Sequence, residues 1–321
     1  VTGSSDVCSS DLLDKAAAAN VPGPDQVPAH EAREIYKRSR LPLQPPKPEL
    51  ASARDFTIDG GHGALTLREF RPHDSTPQIN PPALLYFHGG GWVIGDIETH
   101  DTLCRQLADG SGAVVFSVNY SKSPEHRFPV AVDECIAATR YVLEHSSSLG
   151  IDAMRVGVGG DSAGGNLATV VALALRGQLS QPLACQLLIY PVTDLRLASD
   201  SMDRYASGYG LTTAAMRYFR DVYLSAPSDQ HDVRASPLLA EDLSKLPPAL
   251  VLTAGFDPLR DEGRAYADAL SAAGNHVQYV CFERQIHGFI TMGRIIEEAH
   301  TAIALCGSAL RRALHVAAPA A

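Results

Sequence analysis

The sequence is poor in several features that would each point to a different kind of protein. Its six cysteines, Cys8, Cys104, Cys135, Cys185, Cys281 and Cys306, are scattered with no C-x-x-C pair. Neither a disulfide framework nor a thiolate zinc site is suggested, and the cysteines read as free thiols in a reducing, cytoplasmic setting. No H-E-x-x-H or similar spacing occurs, so no metal is expected. No lysine- or arginine-rich run interrupts a chain whose net charge is −9, which argues against nucleic acid as a partner and against attraction to an anionic membrane. The longest apolar helical stretch, Leu167 to Leu175, is too short to cross a bilayer, and no basic-then-apolar opening marks a secretory signal. Methionine is absent before Met154. The opening VTGSSDVCSSDL has no hydrophobic period, and DVCSSDL reads like an in-frame translation of a sequencing adapter. Residues 1–12 are therefore set aside as a non-native tail.

The composition is that of ordinary globular material: the whole chain has 321 residues, 45% hydrophobic and 20% charged, enough for one large α/β domain or two small ones. Residues 13–48 read as N-terminal helix, from Leu13 to Arg40, followed by the stiff connector LPLQPPKPEL. From residue 49 onward strand and helix signals alternate. Strands are expected at Leu65–Phe70, Ala83–Phe87, Val114–Asn119, Arg155–Val158, Cys185–Tyr190, Leu250–Ala254 and Val277–Phe282. Helices are expected near Thr99–Ala108, Val130–Leu143, Ala163–Arg176, Pro258–Ala273 and Ile295–Leu314. This alternation predicts an α/β fold with a mostly parallel sheet covered on both faces, its site at the carboxyl ends of the strands. Residues 193–224 break the pattern and predict a helical insertion that, with the N-terminal helix, caps those strand ends.

Two punctuation marks carry the chemistry. In LLYFHGGGWVIGD an apolar strand collapses into Gly89, Gly90 and Gly91, at a conformational cost of about 2–3 kcal/mol. In RVGVGGDSAGGNLATVVALAL a strand meets Gly160-Asp161-Ser162-Ala163-Gly164 and passes directly into a helix. G-x-S-x-G alone is a weak signal, but between strand and helix it makes a nucleophile elbow. A serine hydroxyl needs a base, and the base needs an orienting acid. Asp257, just past a strand in LVLTAGFDPLRDEG, and His287, in ERQIHGFI, complete the order Ser162, Asp257, His287 expected of an α/β-hydrolase. Asp261 is a rival acid, but it falls inside the following helix, where it complements the dipole. The glycines then have a purpose. Bare backbone N–H groups of Gly89, Gly90 and Gly91, beside the elbow, join the Ala163 N–H in an oxyanion hole, worth about 3 kcal/mol per donor in the transition state.

Supporting roles fall to His88, whose ring holds the glycine loop in shape, and to Asp161 beside the nucleophile. Trp92 either lines the substrate pocket or packs beneath the cap. Tyr190, Tyr205 and Tyr209 are candidate pocket residues; for Tyr205, Tyr209 and Tyr218 a helix–helix seam is the alternative.

Together HGGGW, GDSAGG, DPLRDEG and IHGF resemble the hormone-sensitive-lipase family of esterases, bacterial family IV, over about Pro82 to Gly288. A further block, NYSKSPEHRFPVAVDE, departs from the family at Ser121 to Ser123, where Leu-Ala is more usual before Pro-Glu. The resemblance implies an α/β-hydrolase fold with a helical cap, the Ser162/His287/Asp257 triad, and a hole formed by Gly90, Gly91 and Ala163. It further implies hydrolysis of small-molecule esters with short to medium acyl chains, no cofactor, and a homodimer in some members. An amidase or arylacetamide-deacetylase-like activity uses the same machinery. A ligand-binding protein on this fold, like the plant gibberellin receptors, lacks the catalytic histidine, which here stands in an intact IHGF.

Overall fold

The structure is a computed structural model and describes residues 21–73 and 80–315. Its elements follow in chain order: α1 (Ala29–Arg40), β1 (Ser52–Asp59), β2 (Ala64–Arg71), β3 (Ala83–Phe87), α2 (Ile97–Ser111), β4 (Val114–Val118), α3 (Val130–Glu144), α4 (Ser146–Leu149), β5 (Val156–Asp161), α5 (Ala163–Leu175), β6 (Gln186–Ile189), α6 (Asp200–Arg204), α7 (Thr213–Tyr223), β7 (Ala249–Phe256), α8 (Arg260–Ala272), β8 (Val277–Ile286) and α9 (Glu297–His315).

The eight strands form one sheet in the order β1-β2-β4-β3-β5-β6-β7-β8. Pairing from β4 through β8 is parallel, while β1, β2 and the β2–β4 junction are antiparallel. The central strands β3, β4, β5 and β6 are buried at every position. This is why they read as continuous apolar or glycine-rich runs rather than alternating ones. One buried apolar cluster lies around α3 and α5, a second around α2 and α9, so helices cover the sheet on both faces.

Two expectations need correction. The N-terminal helix begins only at Ala29: residues 21–28 form turns and coil, because Pro22, Pro24 and Pro28 cannot sit inside a helix and Pro28 stands at its threshold. The expected helical residues 13–20, like the tail 1–12, lie outside the described residues. Strand β1 carries almost no apolar signal, since only Ile58 is buried on it, and the sequence pattern passes over it.

Between β6 and β7 the chain leaves the sheet and returns, forming α6 and α7 on the way. Phe219 of α7 packs so closely over the glycine loop that a Cβ on Gly91 would collide with its ring. Tyr223, one turn further, stacks on Trp92 with ring centroids 4.2 Å apart. Helix α1 reaches the same region. Arg33 donates to the Val93 carbonyl at 2.8 Å and pairs with Glu125, and this guanidinium pulls the Glu125 carboxyl down to about 2. Lys37 of α1 lies 3.6 Å from Asp96.

Candidate active site

Strand β5 ends at Asp161 and α5 starts at Ala163, so Ser162 alone makes the turn, at φ 56° and ψ −118°. A serine adopts this conformation only under constraint. The constraint is packing without side chains. A Cβ on Gly160 would run into the Gly164 backbone, and one on Gly164 would run into the Phe87 carbonyl of β3. The Ser162 N–H still donates to Ile189 of β6 at 2.9 Å, so the elbow extends the ladder by one residue while its side chain stands clear of it.

His287 follows the end of β8, and its Nε2 lies 3.0 Å from Ser162 Oγ. Its Nδ1 lies 2.7 Å from Asp257 Oδ2. Because a carboxylate only accepts, Nδ1 carries the ring proton and Nε2 presents its lone pair to the serine hydroxyl. Asp257 is fully buried, and its other oxygen accepts the Leu259 N–H at 2.8 Å, which fixes the carboxylate plane. Asp261 instead pairs with Arg260 at 2.8 Å.

The glycine loop is built from φ values closed to most side chains, 123° at Gly90 and 58° at Gly91. The Gly90 carbonyl accepts from Val93 and Ile94 at 3.1 and 2.9 Å, which curls the loop. Among the described residues nothing accepts from the N–H groups of Gly90, Gly91 or Ala163, and all three flank Ser162. Gly89 differs. Its N–H donates to Asp161 Oδ1 at 2.9 Å, so it cannot also serve an oxyanion, and it is removed from the candidate hole.

Asp161 is a clamp rather than a first-turn ornament. It accepts from Tyr86 of β3 at 2.8 Å and from Gly89, and faces His100 Nε2 at 3.3 Å. Burial alone would raise this carboxyl, but the facing His100 and the Tyr86 hydroxyl outweigh it and hold the carboxyl below its usual value. His88 is also fully buried. Its ring stacks on Tyr120 at 4.2 Å, and its Nδ1 donates to the Gly89 carbonyl at 2.8 Å. Burial, with Lys122 and His100 nearby, pushes His88 down to about 3, so the ring is a neutral strut. Tyr86, His100 and Tyr120 were not singled out in the sequence: Tyr86 is lost inside the apolar run of β3, and His100 and Tyr120 stand among polar neighbours that mark neither as buried.

A cavity of about 150 Å³ opens at Ser162 and His287. Its wall includes Gly90, Gly91, Leu211, Met216 and Phe219, with Tyr36 and Arg40 from α1. The expected pocket aromatics are not in that wall. Trp92 is fully buried beneath α7, with its ring on Tyr223. Tyr190 packs behind the catalytic-candidate histidine, 4.5 Å from the His287 ring. Tyr205 and Tyr209 pack on Phe256, and the Tyr205 hydroxyl accepts from Arg260. They form the seam between the insertion and the sheet; the cavity is walled by its aliphatic and phenyl side chains instead. Among the described residues no group of three or more His, Cys, Asp or Glu is placed to hold a metal, and no helix is long and apolar enough to cross a membrane.

An eight-stranded, mostly parallel sheet with a serine elbow and a histidine–aspartate pair at its strand ends is the arrangement of an α/β-hydrolase. A family profile described as alpha/beta hydrolase fold matches residues 84–291, and the chain belongs to this family, among its hormone-sensitive-lipase-like esterases. It is 41% identical over 290 residues to the ethyl acetate hydrolase of Pseudomonas putida, covering 89% of this chain and 91% of that one. It is 37% identical over 246 residues to an arylesterase of Saccharolobus solfataricus, covering 76% of this chain and 79% of that one. Among solved structures, an ester hydrolase from the metagenome of Lake Arreo, complexed with a bipyridine phosphonate derivative, superposes with a TM-score of 0.90 at 42% identity, covering 94% of this chain and 96% of that one.

Proposed function

We propose that this protein is a serine carboxylesterase that hydrolyses small-molecule esters with short to medium acyl chains. The observation that carries the reading is the unbroken relay from Asp257 through His287 to Ser162, with contacts of 2.7 and 3.0 Å. Ser162 Oγ attacks the ester carbonyl while His287 Nε2 takes its proton. The carbonyl oxygen becomes an anion facing the N–H groups of Gly90, Gly91 and Ala163, and Asp257 stabilises the imidazolium. As the intermediate collapses, His287 passes the proton to the leaving alcohol. Water, activated by the same ring, then frees the acid. Helix α1, which precedes the catalytic domain of residues 49–321, and helices α6 and α7, in that domain's insertion at about 193–224, act as the cap of this site.

The small cavity favours short acyl groups, and the relatives' names agree with ester rather than amide substrates. The presence of His287 at hydrogen-bond distance from the serine supports turnover over mere binding. For the homodimer, β8 is an outer strand of the sheet and offers a self-pairing edge, testable by light scattering. The five free cysteines of the described region suit a reducing, cytoplasmic setting.

The decisive test is 4-nitrophenyl butyrate hydrolysis by the purified protein beside Ser162→Ala. The variant should lose at least about a thousandfold in kcat. Equal activity in both would show that the hydrolysis belongs to some other group. Comparing a matched ester and anilide then measures ester over amide preference.

A further inference from the structure

The wall of the active-site cavity contains a cation that has no counterion among the described residues. Arg33 and Lys37, on the same helix as Arg40, are matched to Glu125 and Asp96. The Arg40 guanidinium forms no ion pair and no hydrogen bond among the described residues, and its carbon lies 5.5 Å from the centroid of the Tyr36 ring. The guanidinium lines the cavity at Ser162 and also an adjoining one of about 280 Å³, bounded by Ala32, Ile35, Leu43 and Ile286. Both terminal nitrogens stand 3.5 Å from where a Cβ on Gly288 would be, which places them beside His287. The carboxylates nearby are already engaged: Asp161 by Tyr86, Gly89 and His100, and Asp257 by His287 and Leu259. Tyr36, one turn before Arg40, lines the same two cavities, and its hydroxyl has no partner among the described residues.

Taking the esterase reading as its basis, we propose that Arg40, with Tyr36, makes this site selective for esters whose alcohol portion bears a carboxylate. The geometry assigns the carboxylate to the alcohol side because His287 hands its proton to the leaving oxygen, so the alcohol lies toward His287 and Gly288. A guanidinium offers two parallel N–H groups to a carboxylate, the strongest pairing a side chain makes with that group, and among the described residues no acid competes for it. The apolar walls of the adjoining cavity accept the carbon skeleton that links carboxylate to ester.

The probes are 4-acetoxyphenylacetate, which is anionic, and 4-ethylphenyl acetate, its neutral counterpart of similar leaving-group character. In the wild-type protein kcat/KM should favour the anion, and the ratio of the two values should fall at least tenfold in Arg40→Met, chiefly through KM. Arg40→Lys should give an intermediate ratio, because an ammonium keeps the charge but not the fork. It also serves should the methionine variant fail to fold. Arg38→Met, which removes the same charge from the exposed side of α1, should leave the ratio as it is. The product 4-hydroxyphenylacetate should inhibit the wild type at least tenfold more strongly than Arg40→Met. Hydrolysis of the neutral ester with a ratio that does not change in Arg40→Met would overturn the selectivity while leaving the esterase reading intact. No turnover of either ester by the wild type would overturn both.

Discussion

At the scale of single residues, the proposed site divides into groups assigned to react and groups that hold them. That Ser162, Asp257 and His287 meet was legible because the proposed chemistry demands fixed residue types at strand ends: a serine between small neighbours, then an acid, then a histidine, in that chain order. The holding groups were not, since Tyr86, His100 and Tyr120 come from different elements and meet only in the fold. Asp161 stands between the two classes. Asp161→Ala should lower kcat by tenfold or more with a smaller effect on KM, because it frees Gly89 and with it the register of Gly90 and Gly91. It should also cost about 3–5 kcal/mol in urea unfolding, by leaving Tyr86 and His100 buried and unmatched. His88 sets a pH dependence. Its folded value of about 3 lies below the ordinary histidine value, so the unfolded chain binds a proton that the folded chain refuses. That contribution is fully present above about pH 6.5 and is lost as pH falls from there toward 3. Urea midpoints should drop by the equivalent of a few kcal/mol between pH 7 and pH 4, and Trp92 emission should report the loosening. A flat profile would contradict the neutral buried ring.

At the scale of elements, what could be read was whatever is buried on both sides. The central strands appeared with boundaries close to those found, and β5 differed usefully: it runs on to Asp161 and delivers the elbow without an intervening loop. Strand β1 stayed hidden because an edge strand facing solvent needs no apolar period. The N-terminal helix was carried across residues 21–28 because the helical pattern outweighed Pro22, Pro24 and Pro28, which precede its start. Helix α7 was expected as cap, yet its contribution is not the tyrosines but Phe219, lodged over Gly91. Phe219→Ala should open the cavity toward longer chains and raise the hexanoate-to-acetate ratio of kcat/KM several-fold, while costing about 3 kcal/mol of stability. An acyl-length series with chemical denaturation measures both, and an unchanged chain-length profile would remove Phe219 from the specificity wall.

At the scale of the whole molecule, stability rests on burial and not on covalent staples. Cys104, Cys135, Cys185 and Cys306 are buried, and burial pushes Cys185 and Cys306 up to about 12. Brief iodoacetamide treatment of the folded protein should therefore modify Cys281, the half-buried one, and reach these four only in denaturant, as read by peptide mass spectrometry. A reductant should leave the melting temperature unmoved.

The pairing of β3 with β5 has a consequence of its own. Phe87 is matched to Gly160, so the two strands release the glycine loop and the serine elbow at the same level of the sheet. A slip of one residue between them would displace loop from elbow by about 3.3 Å and turn each inward side chain outward. Turnover thus acts as a vernier on the ladder: a refolded sample with native helix content but shifted pairing would stay dark in an ester assay, which makes catalysis a finer gauge of correct folding here than circular dichroism.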